Sequence, residues 1–228
     1  MRRSILLLSL VFFSFAATAQ SFRGLPSLPT SGQGFKGRVG AGFTDFKTLS
    51  PESDFKLERG VFFTTSLERS FDVMHLYLTL GLSMMDAEGI ANYNYTNLSS
   101  SNSYAITDVG FRARMYEVTL GLKFKLINDY WFRPYIEGGG IGSYNEVAYS
   151  GSNLTSLSAT GSDYKKKDVI MGSGYYGEAG VEVEFTARFG VALAARQSVM
   201  QTKKLETLNG RPLRLVNETY YFALIFGL

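Results

Sequence analysis

Among the side chains able to do acid–base or nucleophilic chemistry, the single imidazole, His75, is the first to weigh. One His excludes any mechanism that requires two, including a Ser–His–acid site supported by a second imidazole. The absence of Cys excludes a thiolate nucleophile, a thiolate metal site and a disulfide framework. Glu178 and Glu182 share one face of an extended chain, as do Glu117, Lys123 and Lys125, because strand side chains alternate with a period of two. Paired carboxylates can serve as acid and base. Here Arg and Lys converge on the same face, and buried charges persist when they are paired. Ion pairing is therefore the expected role. The Gly-containing stretches Gly138–Gly142 and Gly172–Gly174 fall inside strand patterns and not before helices, so they form no nucleotide-binding fingerprint. No catalytic residue, cofactor or metal ligand is expected.

These residues have to be positioned by elements, and the composition points to strands. The chain has 228 residues, 24 Gly, 18 Phe and 14 Tyr, with only 19% charged residues. Its start is an address: Met1-Arg2-Arg3, an apolar run over 5–16, and Ala17-Thr18-Ala19 as a small-residue cleavage site. The run is shorter than the ~20 residues of a spanning helix. Residues 1–19 are expected to be a signal peptide cleaved after Ala19, 20–34 a periplasmic lead-in, and 35–228 one domain. Loss of Arg2 and Arg3 takes the net charge from +3 to +1, too small to imply nucleic acid.

Period-two alternation recurs eight times. The apolar sets are Phe35-Val39-Ala41-Phe43, Val61-Phe63-Leu67, Leu76-Leu78-Leu80-Leu82-Met84 and Tyr116-Val118-Leu120-Leu122-Phe124-Leu126. They continue with Phe132-Ile136-Tyr144, Tyr175-Ala179-Val181-Val183-Phe185, Phe189-Val191-Leu193-Ala195 and Tyr220-Phe222-Leu224-Phe226-Leu228. Short links centred on Asp72, Asn128-Asp129 and Ala187 alternate with long polar links over roughly 47–57, 86–109, 146–169 and 198–216. Such an alternation is the pattern of a barrel with tight turns at one end and long loops at the other.

An eight-stranded barrel can be a soluble, lipocalin-like carrier with an apolar inside, or a membrane barrel of opposite polarity. Opposite the apolar sets fall Lys36, Arg38, Glu68, Glu117, Lys123, Lys125, Arg133, Glu137, Glu178, Glu182, Glu184, Arg188 and Arg196, and the apolar sets carry no charge. The charged face is expected inside, as an ion-paired lumen. Aromatic residues mark the strand ends: Phe35, Phe124, Phe132, Phe185, Phe189 and Phe226 below, Phe43, Tyr116, Tyr144, Tyr175 and Tyr220 above. Two such rings bracketing an aliphatic band are the girdles of a lipid-embedded barrel. Lipid offers no partner to an open edge, so the sheet has to close. The basic clusters Lys165-Lys166-Lys167 and Lys203-Lys204 fall in outer links. They read either as solvated loop faces or as contacts to anionic headgroups.

The stretch Arg133-Pro134-Tyr135-Ile136-Glu137-Gly138-Gly139-Gly140-Ile141-Gly142 and the closing Tyr220-Tyr221-Phe222-Ala223-Leu224-Ile225-Phe226-Gly227-Leu228 resemble the small outer-membrane barrels, namely the OmpA transmembrane domain, OmpX and OmpW-like proteins. The closing segment is similar to the signal read by the barrel-assembly machinery, although it ends on Leu228 where Phe or Trp is usual. The resemblance implies an all-β, eight-stranded antiparallel up-and-down transmembrane barrel with short periplasmic turns and long extracellular loops. It also implies outer-membrane lipid, lipopolysaccharide and the assembly machinery as partners, and a monomer. The expected role is non-enzymatic, structural or surface-contacting. The alternatives are a narrow OmpW-like channel for small or apolar solutes and a secreted soluble binding barrel. Outer-membrane enzymes of similar size need a His with Ser and an acid near the outer leaflet, whereas His75 is expected at the opposite end.

Overall fold

The computed structural model describes residues 35–48, 54–71, 75–96, 103–127, 131–150, 167–186, 188–205 and 211–227. The expected signal peptide, the lead-in, Lys165 and Lys166 lie outside the described residues. Nine strands follow in chain order: β1 (Phe35–Thr48), β2 (Asp54–Leu57), β3 (Gly60–Ser70), β4 (Leu76–Thr96), β5 (Ser103–Lys125), β6 (Phe132–Ser150), β7 (Lys167–Thr186), β8 (Phe189–Leu205) and β9 (Arg211–Gly227). Eight of them close a ring of antiparallel neighbours. β1 pairs with β3 and with β9, and the remaining barrel strands pair in sequence order from β3 to β9.

β2 does not add a ninth stave. It pairs with β4 at Leu57↔Gly89, while β3 takes over at Val61↔Asp86, so the two lie end to end along β4 with one extra residue between them. That is a bulge within one interrupted strand.

The registers agree with the alternation in the sequence. Leu76, Leu78, Leu80 and Leu82 of β4 stand opposite Phe124, Leu122, Leu120 and Val118 of β5, all on the outer face. β6 runs through Gly138–Gly142 without interruption, although these glycines erase its pattern. The expected long links are shorter than read, because the strands climb past the aromatic ring. β4 reaches Thr96 and β5 starts at Ser103, paired to the end at Thr96↔Ser103. Lipid requires only ~9–11 residues per strand. Above the ring the outer face meets water, so outward positions turn polar, while inward residues such as Ala87, Ala113 and Val147 stay buried and backbone pairing continues.

At the short-link end the Phe71 N–H donates to the Leu76 carbonyl at 3.0 Å. His75 sits in the β3–β4 turn with φ 58°, the left-handed region, and its carbonyl accepts from the Lys125 N–H at 3.1 Å.

Candidate functional site: the sealed lumen

Inward positions at the lower end of the barrel carry charge. Lys123 of β5 reaches Glu68 of β3 at 2.6 Å, Glu182 of β7 at 3.0 Å and Glu137 of β6 at 3.6 Å. Lys125 bridges the same two carboxylates, Glu68 at 2.9 Å and Glu182 at 2.7 Å. Two ammonium and two carboxylate groups thus tie β3, β5 and β7 across the lumen, with side chains at most 1% exposed. Beside them Glu184 takes both Lys36 and Arg133, the latter at 2.7 Å.

One layer higher, Arg38 lies 3.5 Å from Glu178 and 3.9 Å from Glu137, and donates to the Tyr135 hydroxyl at 2.6 Å. Tyr135 and Tyr221 both donate to Glu178 Oε1 at 2.7 Å. Tyr176 and Thr79 donate to Glu137 Oε1 at 2.7 and 2.8 Å. Arg196 meets Glu117 at 3.0 Å, and Ser83 donates to the same Oε2 at 3.1 Å. The cations also lie on aromatic faces: Lys123 over Tyr135 at 4.6 Å, Lys125 over Tyr77 at 4.2 Å and Arg196 over Tyr176 at 4.4 Å. Such contacts gain most where water is excluded.

The lumen residues read from the sequence, Arg38, Glu117, Lys123, Arg133, Glu137, Glu178, Glu182 and Arg196, therefore do converge. Arg188 does not. It lies exposed in the β7–β8 turn, where its carbonyl accepts from the Gly227 N–H at 2.9 Å. Its parity counted it inward, but the register shift after Glu184 resets the alternation there. Without it, among the described residues, the plug holds six cations (Lys36, Arg38, Lys123, Lys125, Arg133, Arg196) and six carboxylates (Glu68, Glu117, Glu137, Glu178, Glu182, Glu184), formally neutral.

Two features of the lumen depart from the sequence reading. The tyrosines Tyr77, Tyr135, Tyr176 and Tyr221 belong to the plug. Their parity opposite the apolar sets was the available signal. The upper lumen is less polar than read: Phe62, Met85, Met115 and Met200 are each 1% exposed and belong to one apolar cluster with Ile141 and Leu215, beside the buried Asn145, Thr202 and Asn217. Asn217 Nδ2 lies 3.8 Å from the Met85 sulfur. An apolar lid thus covers an ionic plug.

The outer surface has the inverse polarity. Leu80, Leu82, Val118, Leu120, Phe222 and Leu193 are between 45% and 65% exposed. Phe43, Tyr116, Tyr144, Tyr175 and Tyr220 form the expected upper ring, with Phe43–Tyr220 at 5.8 Å and Tyr116–Tyr144 at 6.2 Å. Below, Phe35, Phe124, Phe185, Phe189 and Phe226 are exposed, and Phe132 is half-buried against Trp131 at 6.0 Å. Immediately above the upper ring, outward positions turn ionic: Arg112 and Arg114 meet Asp86 at 2.6 and 3.3 Å, Arg59 meets Asp45 at 2.8 Å, Lys47 meets Glu218 at 2.7 Å and Lys167 meets Glu146 at 3.1 Å. Lys203 is also exposed and outward. The side chain of Lys204 is outside the described residues.

A closed sheet with oil-facing side chains outside, aromatic rings at both borders and salt-linked groups within is an integral membrane β-barrel. The chain matches the outer membrane protein beta-barrel domain family over residues 5–215 and belongs to it. That places it in the bacterial outer membrane and excludes the soluble carrier. No curated protein sequence matches the chain. Among solved structures, Neisserial surface protein A is similar, with 10% identity, a TM-score of 0.51, and coverage of 83% of this chain and 95% of that one. OprG from Pseudomonas aeruginosa shares 12% identity over 86% and 98% of the two chains at a TM-score of 0.49. Ail of Yersinia pestis, solved with the heparin analogue sucrose octasulfate, shares 10% over 85% and 99% at 0.47.

Proposed function

We propose that the protein is a non-enzymatic, monomeric wall element of the outer membrane, exported by cleavage after Ala19, that conducts nothing and presents its upper strands to the outside. The observation that carries this reading is the lumen: twelve formally balanced charges locked beneath Phe62, Met85, Met115 and Met200. Eight strands enclose an interior just wide enough for side chains to fill, and here they fill it. Glu178 and Glu182, the carboxylates with acid–base spacing, are held by Arg38, Lys123 and Lys125, which suits cross-bracing better than proton transfer. The Tyr220–Leu228 segment serves as the recognition strand for the assembly machinery, and the ionic collar above the Tyr ring sits among lipopolysaccharide headgroups.

Planar-bilayer recording tests the sealed lumen. The wild-type barrel gives no discrete steps. Discrete steps abolished by Glu137→Ala or Arg196→Ala would establish instead a narrow channel. Cell-surface labelling of an epitope placed between β4 and β5 tests the orientation.

A further inference from the structure

The apolar belt around the barrel is not of even depth. From the lower Phe to the upper aromatic residue it runs over seven residues on β9 (Phe226 to Tyr220) and nine on β1 (Phe35 to Phe43) and β5 (Phe124 to Tyr116). It covers eleven on β7 (Phe185 to Tyr175) and thirteen on β6 (Phe132 to Tyr144). On β8 the run from Phe189 ends after seven residues at Ala195, and the exposed Gln197 follows; above it Val199 is half-buried, and Gln201 and Lys203 are exposed. The cut is a border and not a stray side chain. Gln197 stands across from Glu218 of β9, and Glu218 across from Asp45 of β1, a polar row over three adjacent strands. Glu218 and Asp45 are ion-paired, with Lys47 at 2.7 Å and Arg59 at 2.8 Å.

The lower border stays level where the upper one drops. Phe185, Phe189 and Phe226 lie side by side on β7, β8 and β9, with ring centroids 6.2 Å apart in both neighbouring pairs. The shortfall on β8 and β9 is therefore at the upper border. At ~3.3 Å per residue and a tilt near ~45°, seven residues rise about 14 Å and thirteen about 28 Å. An apolar band is ordinarily ~25 Å tall. The β6 wall matches it, and the β8–β9 wall reaches little more than half of it. β6 lies opposite β1 in the ring, so the belt is a wedge. Tilting the barrel moves both borders of a flank together and leaves the difference in depth. Thinning a bilayer costs little per ångström, whereas a charged group on the lipid face is costly in proportion to its depth.

We propose that the barrel thins the bilayer along β8, β9 and β1, drawing the leaflet on the long-strand side down to the Gln197–Glu218–Asp45 row. The surface fits a strip of lipid with short or disordered acyl chains, and on the β6 side a bilayer of ordinary depth. The recognition is by hydrophobic depth and not by headgroup, so a bilayer of phosphatidylcholine alone is enough to show it. This goes beyond the sealed wall element, and it holds whichever end of the barrel faces outward.

The chain has no Cys, so single nitroxide labels on introduced cysteines report cleanly on the whole barrel in dioleoylphosphatidylcholine vesicles. Gln197, Glu218 and Gly140 each lie eight residues above the lower Phe of their own strand. In a bilayer of even depth the three labels meet one environment. The wedge instead leaves those at Gln197 and Glu218 open to an aqueous nickel complex. The label at Gly140, where a Cβ meets nothing within 4 Å, collides with oxygen in hydrocarbon. A label at Arg188, in the turn beneath Phe189, stays aqueous, whereas a tilt that lifted the β8–β9 flank would draw it into lipid. Urea titration gives a second readout. The wild-type midpoint is higher in dilauroyl- than in dioleoylphosphatidylcholine. Gln197→Leu with Glu218→Leu, which deepens the short flank, narrows that gap, and Gly140→Leu leaves it unchanged. Labels at Gln197 and Glu218 as lipid-exposed as the one at Gly140, an Arg188 label within hydrocarbon, or a gap untouched by the double variant would each overturn the inference.

Discussion

The hydroxyl of Tyr135 occupies the space that a methyl group on Gly180 would need: a Cβ there falls 2.5 Å from Oη and 2.6 Å from Cζ. The carbonyl oxygen of Leu193 closes the other side at 2.7 Å. Tyr135 is held between Arg38 and Glu178 and is fully buried, so it has nowhere to move. Overpacking of this kind costs about 1–3 kcal/mol. Gly180→Ala is therefore expected to lower the urea midpoint of the barrel in lipid vesicles. Gly140→Ala, whose Cβ meets nothing within 4 Å, stays within about 0.5 kcal/mol of wild type. Equal effects at the two positions would mean that inward glycines are not making room for plug side chains.

Lys123 touches three carboxylates, Glu68, Glu137 and Glu182. Removing one member of a buried ionic network leaves the others uncompensated, at a cost of about 3–5 kcal/mol. Lys123→Met is expected to destabilise by that order, and addition of Glu182→Gln to recover part of the loss by restoring neutrality. Urea titrations of the single and double variants measure the coupling. If the two losses simply add, the charges do not act as a unit.

How much of this was legible in the sequence follows from where water and oil impose a rule. Between the rings, hydrocarbon outside and packed charge inside force strict alternation, and the inward placement of Lys36 and Glu182 could be read from parity alone. The rule lapses at the ends. Arg188 was misplaced because a register shift separates it from Glu184. The upper halves of β4 and β5 read as loop because Asp86, Arg112 and Arg114 face outward where Leu would sit lower down. The Phe62–Met85–Met115–Met200 layer shares the parity of the polar positions below, and its apolar residue types were the signal passed over. Three-dimensional partners such as Tyr135 on Glu178 depend on side chains crossing the lumen, which spacing along one strand does not encode.

His75 adopts φ 58° in the β3–β4 turn. Left-handed backbone costs an L-residue roughly 1–2 kcal/mol, and a β-branched side chain tolerates it least. His75→Gly and His75→Asn are thus expected to keep or slightly raise the temperature at which the folded band is lost on gels, and His75→Val to lower it. If His75→Gly abolished a function while leaving that temperature unchanged, the imidazole would have a chemical role beyond its turn.

Asp86 accepts from Arg112 Nε and Nη2 at 2.8 and 2.6 Å and from Arg114 Nε at 3.3 Å, just above Met84 and outside the lipid band. The hydrogen bonds from Arg112 hold its carboxyl below the usual range, against a smaller opposing effect of burial. A depressed folded-state value means that the bridge's contribution is complete above the unfolded value near ~3.9 and is lost as the pH falls through the lower folded value. The opening free energy of the β4–β5 extension above Tyr116, read from hydrogen–deuterium exchange after division by the intrinsic rate at each pH, is therefore expected to be flat from neutral pH to about 5, and to fall below about 4 on that reference value. Both arginines are about half exposed, so high salt weakens the bridge at every pH. Asp86→Asn at neutral pH should show the opening free energy that the wild type shows in acid, with no further step on acidification. An acid step of unchanged size in Asp86→Asn would assign the loosening to another carboxylate and leave the Asp86–Arg112 pair without a part in holding the extension upright.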